Sequence, residues 1–165
     1  MKNKTSKKQI ILALIILFGF YGALQQFKKN YYIGINESNS VDGTIFLISK
    51  DTNSSGKYLV FLYEGEEYHQ YKKGKKFIKK IACYPGQKLT FTDNNTTYDY
   101  YCDNKFIAKA KKKDSSNLKL PHFAFTGVIP KQQYFMVGTH EKSFDSRYWG
   151  FVNQNKITGK AVKLW

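Results

Sequence analysis

Two side chains in this sequence have the types and surroundings needed for nucleophilic catalysis. Ser40 lies shortly after an apolar N-terminal segment, and Lys79 lies within a mostly apolar run. A serine hydroxyl is a weak nucleophile that needs a base, and a lysine amine serves only if burial lowers its pKa until it is neutral. In a strand, alternation places Lys79 on the face of Phe77 and Ile81 and turns Lys80 the other way. The pair predicts Ser–Lys hydrolysis; alone, each residue would be a loop serine or a surface charge.

The run that contains Lys79 reads Ile78-Lys79-Lys80-Ile81-Ala82-Cys83-Tyr84-Pro85-Gly86-Gln87. It resembles the hydrophobic-Lys-Arg-hydrophobic strand, ending in a Pro-Gly turn, of the bacterial signal peptidase I family of Ser–Lys peptidases. By this resemblance Lys79 is the catalytic lysine. Lys80 stands where the family usually has Arg, and Gln87 stands where it usually has Asp.

A C-terminal block resembles the same family's pattern G-D-N-x-x-x-S-x-D-S-R-x-W-G, followed by a strand with I-x-G-K/R-A. It reads Gly138-Thr139-His140-Glu141-Lys142-Ser143-Phe144-Asp145-Ser146-Arg147-Tyr148-Trp149-Gly150, then Ile157-Thr158-Gly159-Lys160-Ala161. The resemblance implies that Ser143 orients the lysine amine and that Asp145 and Arg147 form a buried pair in the wall of the site. We expect an extended segment here, in which Asp145 and Arg147 share one face.

Departures within this block point to the TraF-type branch, the peptidases of conjugative transfer systems. Gly-Asp-Asn has become Gly138-Thr139-His140, and the spacing to Ser143 is one residue shorter. Asp114-Ser115, Leu120-Pro121 and the final Leu164-Trp165 also resemble that branch.

The segment around the nucleophile resembles the TraF-type pattern N-x-T-x-S-x-P-x-G-x-Y. It reads Asn36-Glu37-Ser38-Asn39-Ser40-Val41-Asp42-Gly43-Thr44-Ile45-Phe46, with Asp42 in place of Pro and Gly43 one position early. By resemblance, Ser40 is the nucleophile, and the Ser38 hydroxyl with the Ser40 backbone N–H forms the oxyanion site.

The resemblance implies a membrane-anchored serine endopeptidase without a cofactor, which processes exported precursors, most specifically a pilin of a conjugative or type IV secretion system. The acyl-enzyme would be resolved by water or by the substrate's own amine, which gives a cyclic pilin; both stay open. Two alternatives remain: a general signal peptidase I, and an inactive membrane-anchored binding protein of the same fold.

The N-terminal segment predicts a membrane anchor. Residues 10–24 are apolar or small without interruption, and a span over 9–27 approaches the roughly 20 residues that a bilayer requires. More lysines lie before this span than close after it: Lys2, Lys4, Lys7 and Lys8 precede it, and Lys28 and Lys29 follow it. This bias places residues 1–8 in the cytoplasm and 28–165 outside, on the periplasmic side of a bacterial inner membrane. A cleaved signal peptide is the alternative.

Residues 28–165 are predicted to form one mainly β domain, which by resemblance is a signal peptidase-like antiparallel sheet structure. Short β-rich runs alternate with turns such as Ser54-Ser55-Gly56 and Pro85-Gly86, and no amphipathic helix of useful length is evident. A lysine-rich loop is expected over 111–120. The predicted strands are Thr44–Ser49, Tyr58–Tyr63, Phe77–Cys83, Lys88–Thr92, Thr97–Cys102, Phe106–Ala110, Gln133–Val137 and Lys156–Val162.

Cys83 and Cys102 lie in two of these strands, and the sequence leaves open whether they form a disulfide or remain packed thiols. His69, His122 and His140 lack metal-ligand spacing, so no metal site is expected. The net charge of +15 indicates a solvated lysine-rich surface or attraction to anionic lipid rather than nucleic-acid binding, because no nucleic-acid motif is present.

Overall fold

The computed structural model describes residues 6–53, 56–67 and 71–165. Lys2, Lys4, the Ser54-Ser55 part of a predicted turn and His69 lie outside the described residues. The chain divides into two units, Met1–Tyr32 and Ile33–Trp165.

The first unit contains the helix α1 (Lys7–Asn30). Ser6 caps its N-terminus in a reciprocal arrangement with Gln9, which satisfies backbone N–H groups that a helix start leaves free. The most apolar 18-residue window has a mean hydropathy of 2.0, and none of that window is buried. A helix of this length rises about 36 Å, whereas a bilayer core is about 30 Å thick. The helix can therefore cross a membrane, as the predicted 9–27 span requires, although a signal sequence would have the same properties.

The second unit consists of two β-sheets and very short helices. The strands are β1 (Tyr31–Ile35), whose first two residues belong to the first unit, β2 (Ile45–Ser49), β3 (Tyr58–Leu62), β4 (Lys76–Cys83), β5 (Lys88–Asp93), β6 (Thr97–Cys102), β7 (Lys105–Lys111), β8 (Gly127–Val128), β9 (Gln133–Val137), β10 (Val152–Asn153) and β11 (Ile157–Lys163). The one-turn helix α2 (Ser146–Trp149) precedes β10, and a 3₁₀ turn, Gln154–Lys156, precedes β11.

The larger sheet has the order β1-β2-β11-β3-β4-β9-β10, and the smaller has the order β7-β6-β5-β8. Neighbouring strands from β2 to β10 pair antiparallel, as do those of the smaller sheet. The predicted mainly antiparallel β class is confirmed. All eight predicted strands are present, with ends that differ by at most one residue from those predicted. Strands β1, β8 and β10 were not predicted; two of them contain only two residues, too few for alternation to be visible.

One hydrophobic core contains buried residues of both sheets, and aromatic rings within it pack against the strand β4. The rings of Tyr63 and Phe77 stack with centroids 5.0 Å apart, and Trp149 packs edge-on against Tyr63 at 5.4 Å. Cys83 of β4 and Cys102 of β6 form a disulfide whose Cα atoms are 5.6 Å apart. Closing a loop with a sequence separation of 19 residues restricts the unfolded chain and stabilises the fold by about 3 kcal/mol. The end of the strand that carries Lys79 is thus covalently tied to the second sheet.

Candidate active site

Lys79 lies in the middle of the larger sheet with its side chain buried. Its register partner in β3 is Leu59, and β9 pairs on the other side through Lys80 and Val137. Only 3% of Lys79 is exposed, whereas Lys80 is half-buried. The two lysines therefore differ in burial, as strand alternation predicted.

Burial has a direct electrostatic consequence for the Lys79 amine. Loss of hydration disfavours the ammonium form and lowers the pKa of Lys79 to about 8. The Asp145 carboxylate opposes this shift, and the Arg147 guanidinium adds to it. The ring centroid of Phe77 lies 5.5 Å from Lys79 Nζ. A substantial fraction of Lys79 is accordingly neutral at mildly alkaline pH.

Ser40 lies in the loop between β1 and β2, which is shaped by the side chain of Asn36. The Asn36 Nδ2 donates to the carbonyl oxygens of Val41 and Gly43, at 3.3 and 3.0 Å. Its Oδ1 accepts from the backbone N–H and the hydroxyl of Ser38. The Ser38 Oγ is also 2.9 Å from the Ser40 Oγ, so both serine hydroxyls lie together at the surface of this loop.

The backbone of Ser40 is held by the segment that follows β9. The Ser40 carbonyl oxygen accepts from Thr139 N at 2.9 Å and from His140 N at 3.4 Å. The hydroxyl of Thr139 accepts from Asp42 N at 2.7 Å, and the Asp42 carboxylate is 2.9 Å from Lys163 Nζ. Asp42, which stands where the TraF-type pattern has Pro, thus links the Ser40 loop to β11.

Gly138 is the residue at which these parts meet. Continuing the register of Lys80 with Val137 by one residue sets Gly138 opposite Lys79. A Cβ on Gly138 would be 2.1 Å from Ser143 Oγ and 2.2 Å from the Ser40 carbonyl oxygen. Only glycine allows this approach. This packing role of Gly138 is not predicted from the sequence, where only the position of Gly138 in the family block could have signalled it.

Asp145 and Arg147 form the buried pair that was predicted; 0% of Asp145 and 3% of Arg147 are exposed. Arg147 Nε and Nη2 donate to the two carboxylate oxygens of Asp145, each at 2.7 Å. Asp145 Oδ2 also accepts from Gly138 N at 2.8 Å. Arg147 Nη2 donates to the Ser143 carbonyl at 2.9 Å, and Nη1 donates to the Lys109 carbonyl. The pair therefore links the Gly138 corner to strand β7 of the smaller sheet.

The predicted extended conformation of this segment is wrong. Asp145 is the N-cap of the helix α2, and its carboxylate accepts from the backbone N–H of Arg147. The turn ends at Gly150, whose φ of +96° favours glycine. The two side chains meet because the guanidinium folds back over the cap.

Ser143 lies beside this pair, but its predicted hydrogen bond to Lys79 is not formed in this structure. Only 2% of Ser143 is exposed, and its Oγ has no hydrogen-bond partner among the described residues. Within the same part of the chain, no hydrogen bond joins the Lys79 amine to Ser40. Contacts of this kind are often long in a free enzyme and shorten when substrate binds.

A cavity of about 410 Å³, the polar cavity, opens beside the Ser38 hydroxyl. Its volume lies in the range of small-ligand pockets. Its walls come from the Ser40 loop and the segment after β9: Asn36, Ser38, Asn39, Val41, Asp42, Gly43, Thr44, Thr139 and His140.

Metal ligation is not suggested by the described part of the chain, residues 6–53, 56–67 and 71–165. No group of three or more His, Cys, Asp or Glu side chains there could hold an ion. His140 Nδ1 accepts from Lys142 N, and His122 stacks on the Tyr98 ring at 3.5 Å.

Comparison with known proteins agrees with this architecture. The family model described as signal peptidase, peptidase S26, matches residues 6–165. Signal peptidase I of Aquifex aeolicus is 30% identical over 121 residues, which cover 67% of this chain and 43% of that protein. Probable signal peptidase I-2 of Synechocystis is 30% identical over 92 residues, 54% of this chain and 38% of that protein.

Shorter matches have higher identity. Signal peptidase I of Buchnera aphidicola from Acyrthosiphon pisum is 51% identical over 41 residues, 24% of this chain and 13% of that protein. The chain thus spans less than half the length of these relatives. Because the family model matches nearly every residue from the start of the N-terminal helix to the last residue, the chain belongs to the signal peptidase family, peptidase S26.

Proposed function

We propose that this protein is a membrane-anchored serine endopeptidase that cleaves exported precursors with Ser40 as nucleophile and Lys79 as base. The observation that carries the proposal is the buried Lys79 amine with a pKa of about 8, set opposite Gly138, where the Ser40 backbone is held. Family membership supports the same reaction class.

In the first step, neutral Lys79 takes the proton of the Ser40 hydroxyl as Oγ attacks the carbonyl carbon of the scissile peptide bond. The tetrahedral intermediate collapses when the leaving amine receives that proton from the Lys79 ammonium, which leaves an acyl-Ser40 ester. A water molecule then gives a proton to Lys79 and attacks the ester. Collapse returns the proton to Ser40 Oγ and releases the acid.

The intermediate's oxyanion requires preorganised donors, and Ser38 is placed to provide one. Its hydroxyl is 2.9 Å from Ser40 Oγ and 3.2 Å from Asn36 Oδ1, so it can turn from either oxygen toward the substrate. The Ser40 backbone N–H is the second donor. Removing one such donor in other hydrolases costs about 10²–10³ in kcat.

Ser143, Asp145 and Arg147 act on the base rather than on the substrate. The Ser143 hydroxyl, buried against Gly138, would accept a hydrogen bond from the Lys79 amine once the site closes on substrate. The negative Asp145 raises the pKa of Lys79 and the positive Arg147 lowers it. Keeping these two charges paired prevents Asp145 from holding Lys79 in its charged form.

Activity should rise with pH through the pKa of Lys79, because only the neutral amine can accept the serine proton. Each pH unit below a pKa of about 8 lowers the neutral fraction about tenfold. Precursor cleavage by the full chain in detergent micelles, measured from pH 6 to 10, should therefore increase up to about pH 8 and remain high above it. His140→Ala should keep the same profile; a profile that levels off near pH 6.5 and is lost in His140→Ala would contradict a lysine base.

For the substrate, we propose a pilin precursor of a conjugative or type IV secretion system, with the catalytic unit on the periplasmic side of the inner membrane. The support is the replacement of Gly-Asp-Asn by Gly138-Thr139-His140, with a spacing to Ser143 that is one residue shorter. The loop residues Asp114-Ser115 and the final Leu164-Trp165 also resemble the TraF-type branch. A general signal peptidase I remains the second candidate, favoured by the names of the relatives.

A competition assay separates these substrates. The pilin precursor encoded nearest to this protein should be cleaved at least about tenfold more efficiently than an ordinary secreted preprotein, equivalent to roughly 1.4 kcal/mol. Mass spectrometry of the product distinguishes hydrolysis from cyclisation, because the cyclic pilin is lighter by one water. Equal efficiency on both precursors would favour the general signal peptidase.

A further inference from the structure

A second cavity of about 400 Å³, the aromatic cavity, is lined in part by Lys142 and Phe144, the two residues that flank Ser143 in the chain. Its lining combines an aromatic floor with a lysine rim: Tyr71, Lys111, Lys113, Asp114, Ser115, Leu120, Lys142, Phe144 and Tyr148. We infer that this cavity binds an acidic segment of the precursor that also carries an aromatic side chain, and so selects substrates. The inference rests on the peptidase function proposed above.

The floor is a stack of three nearly parallel rings. Tyr71 and Phe144 have centroids 4.7 Å apart and planes inclined by 15°, and Phe144 and Tyr148 are 5.6 Å apart and inclined by 18°. The hydroxyl of Tyr148 accepts from Lys111 N, which holds the rim against the floor. Such a stack offers an apolar surface for one further aromatic or aliphatic side chain.

The rim supplies positive charge. Lys111 is already paired with Glu141, at 3.1 Å. The Asp114 Oδ1 accepts backbone N–H groups of Ser116 and Leu118, as a turn-forming side chain does. Lys113 and Lys142 are exposed, and neither amine has an ion-pair partner among the residues that the structure describes. Two unpaired ammonium groups over an aromatic floor fit a carboxylate that lies next to an aromatic ring.

The aromatic cavity is connected to the proposed site by a short piece of chain. Thr139 and His140 line the polar cavity, whereas Lys142 and Phe144 line the aromatic cavity. A segment of this length spans at most about 18 Å, at 3.3–3.6 Å per residue. A precursor whose scissile bond lies at Ser40 therefore reaches the aromatic cavity within roughly ten residues of that bond. This proximity favours the precursor itself over an unrelated partner.

The test compares two precursors that differ only near the cleavage site, one with Glu residues flanking a Phe and one with Gln at the same positions. The wild-type full chain in detergent micelles should prefer the Glu precursor in kcat/KM by about tenfold, the combined effect of two partly exposed ion pairs. The variant Lys113→Ala/Lys142→Ala should reduce this ratio to about 1, mainly through KM. The pair Lys105→Ala/Lys131→Ala removes the same charge from exposed positions outside both cavities and should keep the ratio.

A second measurement does not depend on cleavage. The Ser40→Ala full chain should bind the amidated peptide Gly-Glu-Phe-Glu-Gly-Gly about tenfold more tightly than its Gln counterpart by calorimetry, and Lys113→Ala/Lys142→Ala should remove that difference. Equal affinity of Ser40→Ala for the Glu and Gln peptides would overturn the inference while leaving the peptidase proposal intact. Equal binding of the Glu and Gln peptides, together with binding of phosphatidylglycerol vesicles that Lys113→Ala/Lys142→Ala abolishes and Lys105→Ala/Lys131→Ala retains, would instead assign the lysines to lipid and would also overturn it.

Discussion

Ser40→Ala and Lys79→Ala should each reduce precursor cleavage at least about a thousandfold, because the proposed nucleophile and the proposed base would act as one unit. Neither change should unfold the protein. Ser40 is only half-buried, and replacing a buried lysine by a small apolar side chain removes a group whose desolvation is unfavourable. Cleavage of a precursor by full-length variants in micelles, with circular dichroism on the same samples, measures both quantities.

Lys80→Ala is the matched control for the base. Lys80 neighbours Lys79 in β4 but is half-buried rather than buried, so we expect less than about a threefold change in rate. Ser38→Ala should give an intermediate loss of about 10²-fold, since it removes one proposed oxyanion donor and leaves the proposed dyad. Wild-type cleavage no faster than that of Ser40→Ala would support the inactive binding protein, and a larger loss in Lys80→Ala than in Lys79→Ala would reverse the assignment of the base.

The sequence predicts the strands well because their signals are local. In β4, consecutive residues carry the alternation that separates Lys79 from Lys80. The observed burial follows it from Lys76 to Lys80 and is lost from Ile81, where the register with β9 shifts. The helix α2 could not be predicted from periodicity because it has only four residues. Its start depends on the Asp145 cap, which the family pattern presents as part of a charged pair.

The least predictable parts of the site depend on residues far apart in the chain. Asp42 lies where the TraF-type pattern has Pro, and its partner Lys163 is 121 positions away. The crowding at Gly138 arises where the Ser40 loop and Ser143 converge, and no local pattern reports such a convergence. In the same way, the aromatic cavity brings Tyr71 together with Phe144 and Tyr148, which lie more than 70 positions later in the sequence. Tertiary contacts, rather than propensities, decide these features.

Arg147→Ala should destabilise the fold by about 3–5 kcal/mol, because it leaves the Asp145 carboxylate buried and without its charged partner. It also removes the bonds that Arg147 donates to the Ser143 and Lys109 carbonyls. Denaturant unfolding measures the loss. Lys156→Ala breaks the more exposed pair with Glu64 and is the control, with an expected cost below about 1 kcal/mol. An equal cost in both variants would contradict a structural role for the buried pair.

Arg147 also has an electrostatic effect that stability alone would not reveal. Because Arg147 lowers the pKa of Lys79 and Asp145 raises it, the folded fraction of Arg147→Ala should show an activity profile shifted to higher pH. The profile of Arg147→Lys, which keeps the charge, should shift less.

Ser143→Ala should behave differently from Arg147→Ala. The Ser143 hydroxyl has no hydrogen-bond partner among the described residues, so the free energy of unfolding should change by less than about 1 kcal/mol. If Ser143 orients the Lys79 amine, turnover should nevertheless fall about tenfold, and full turnover in this variant would leave the base to be oriented by the Asp145–Arg147 pair alone.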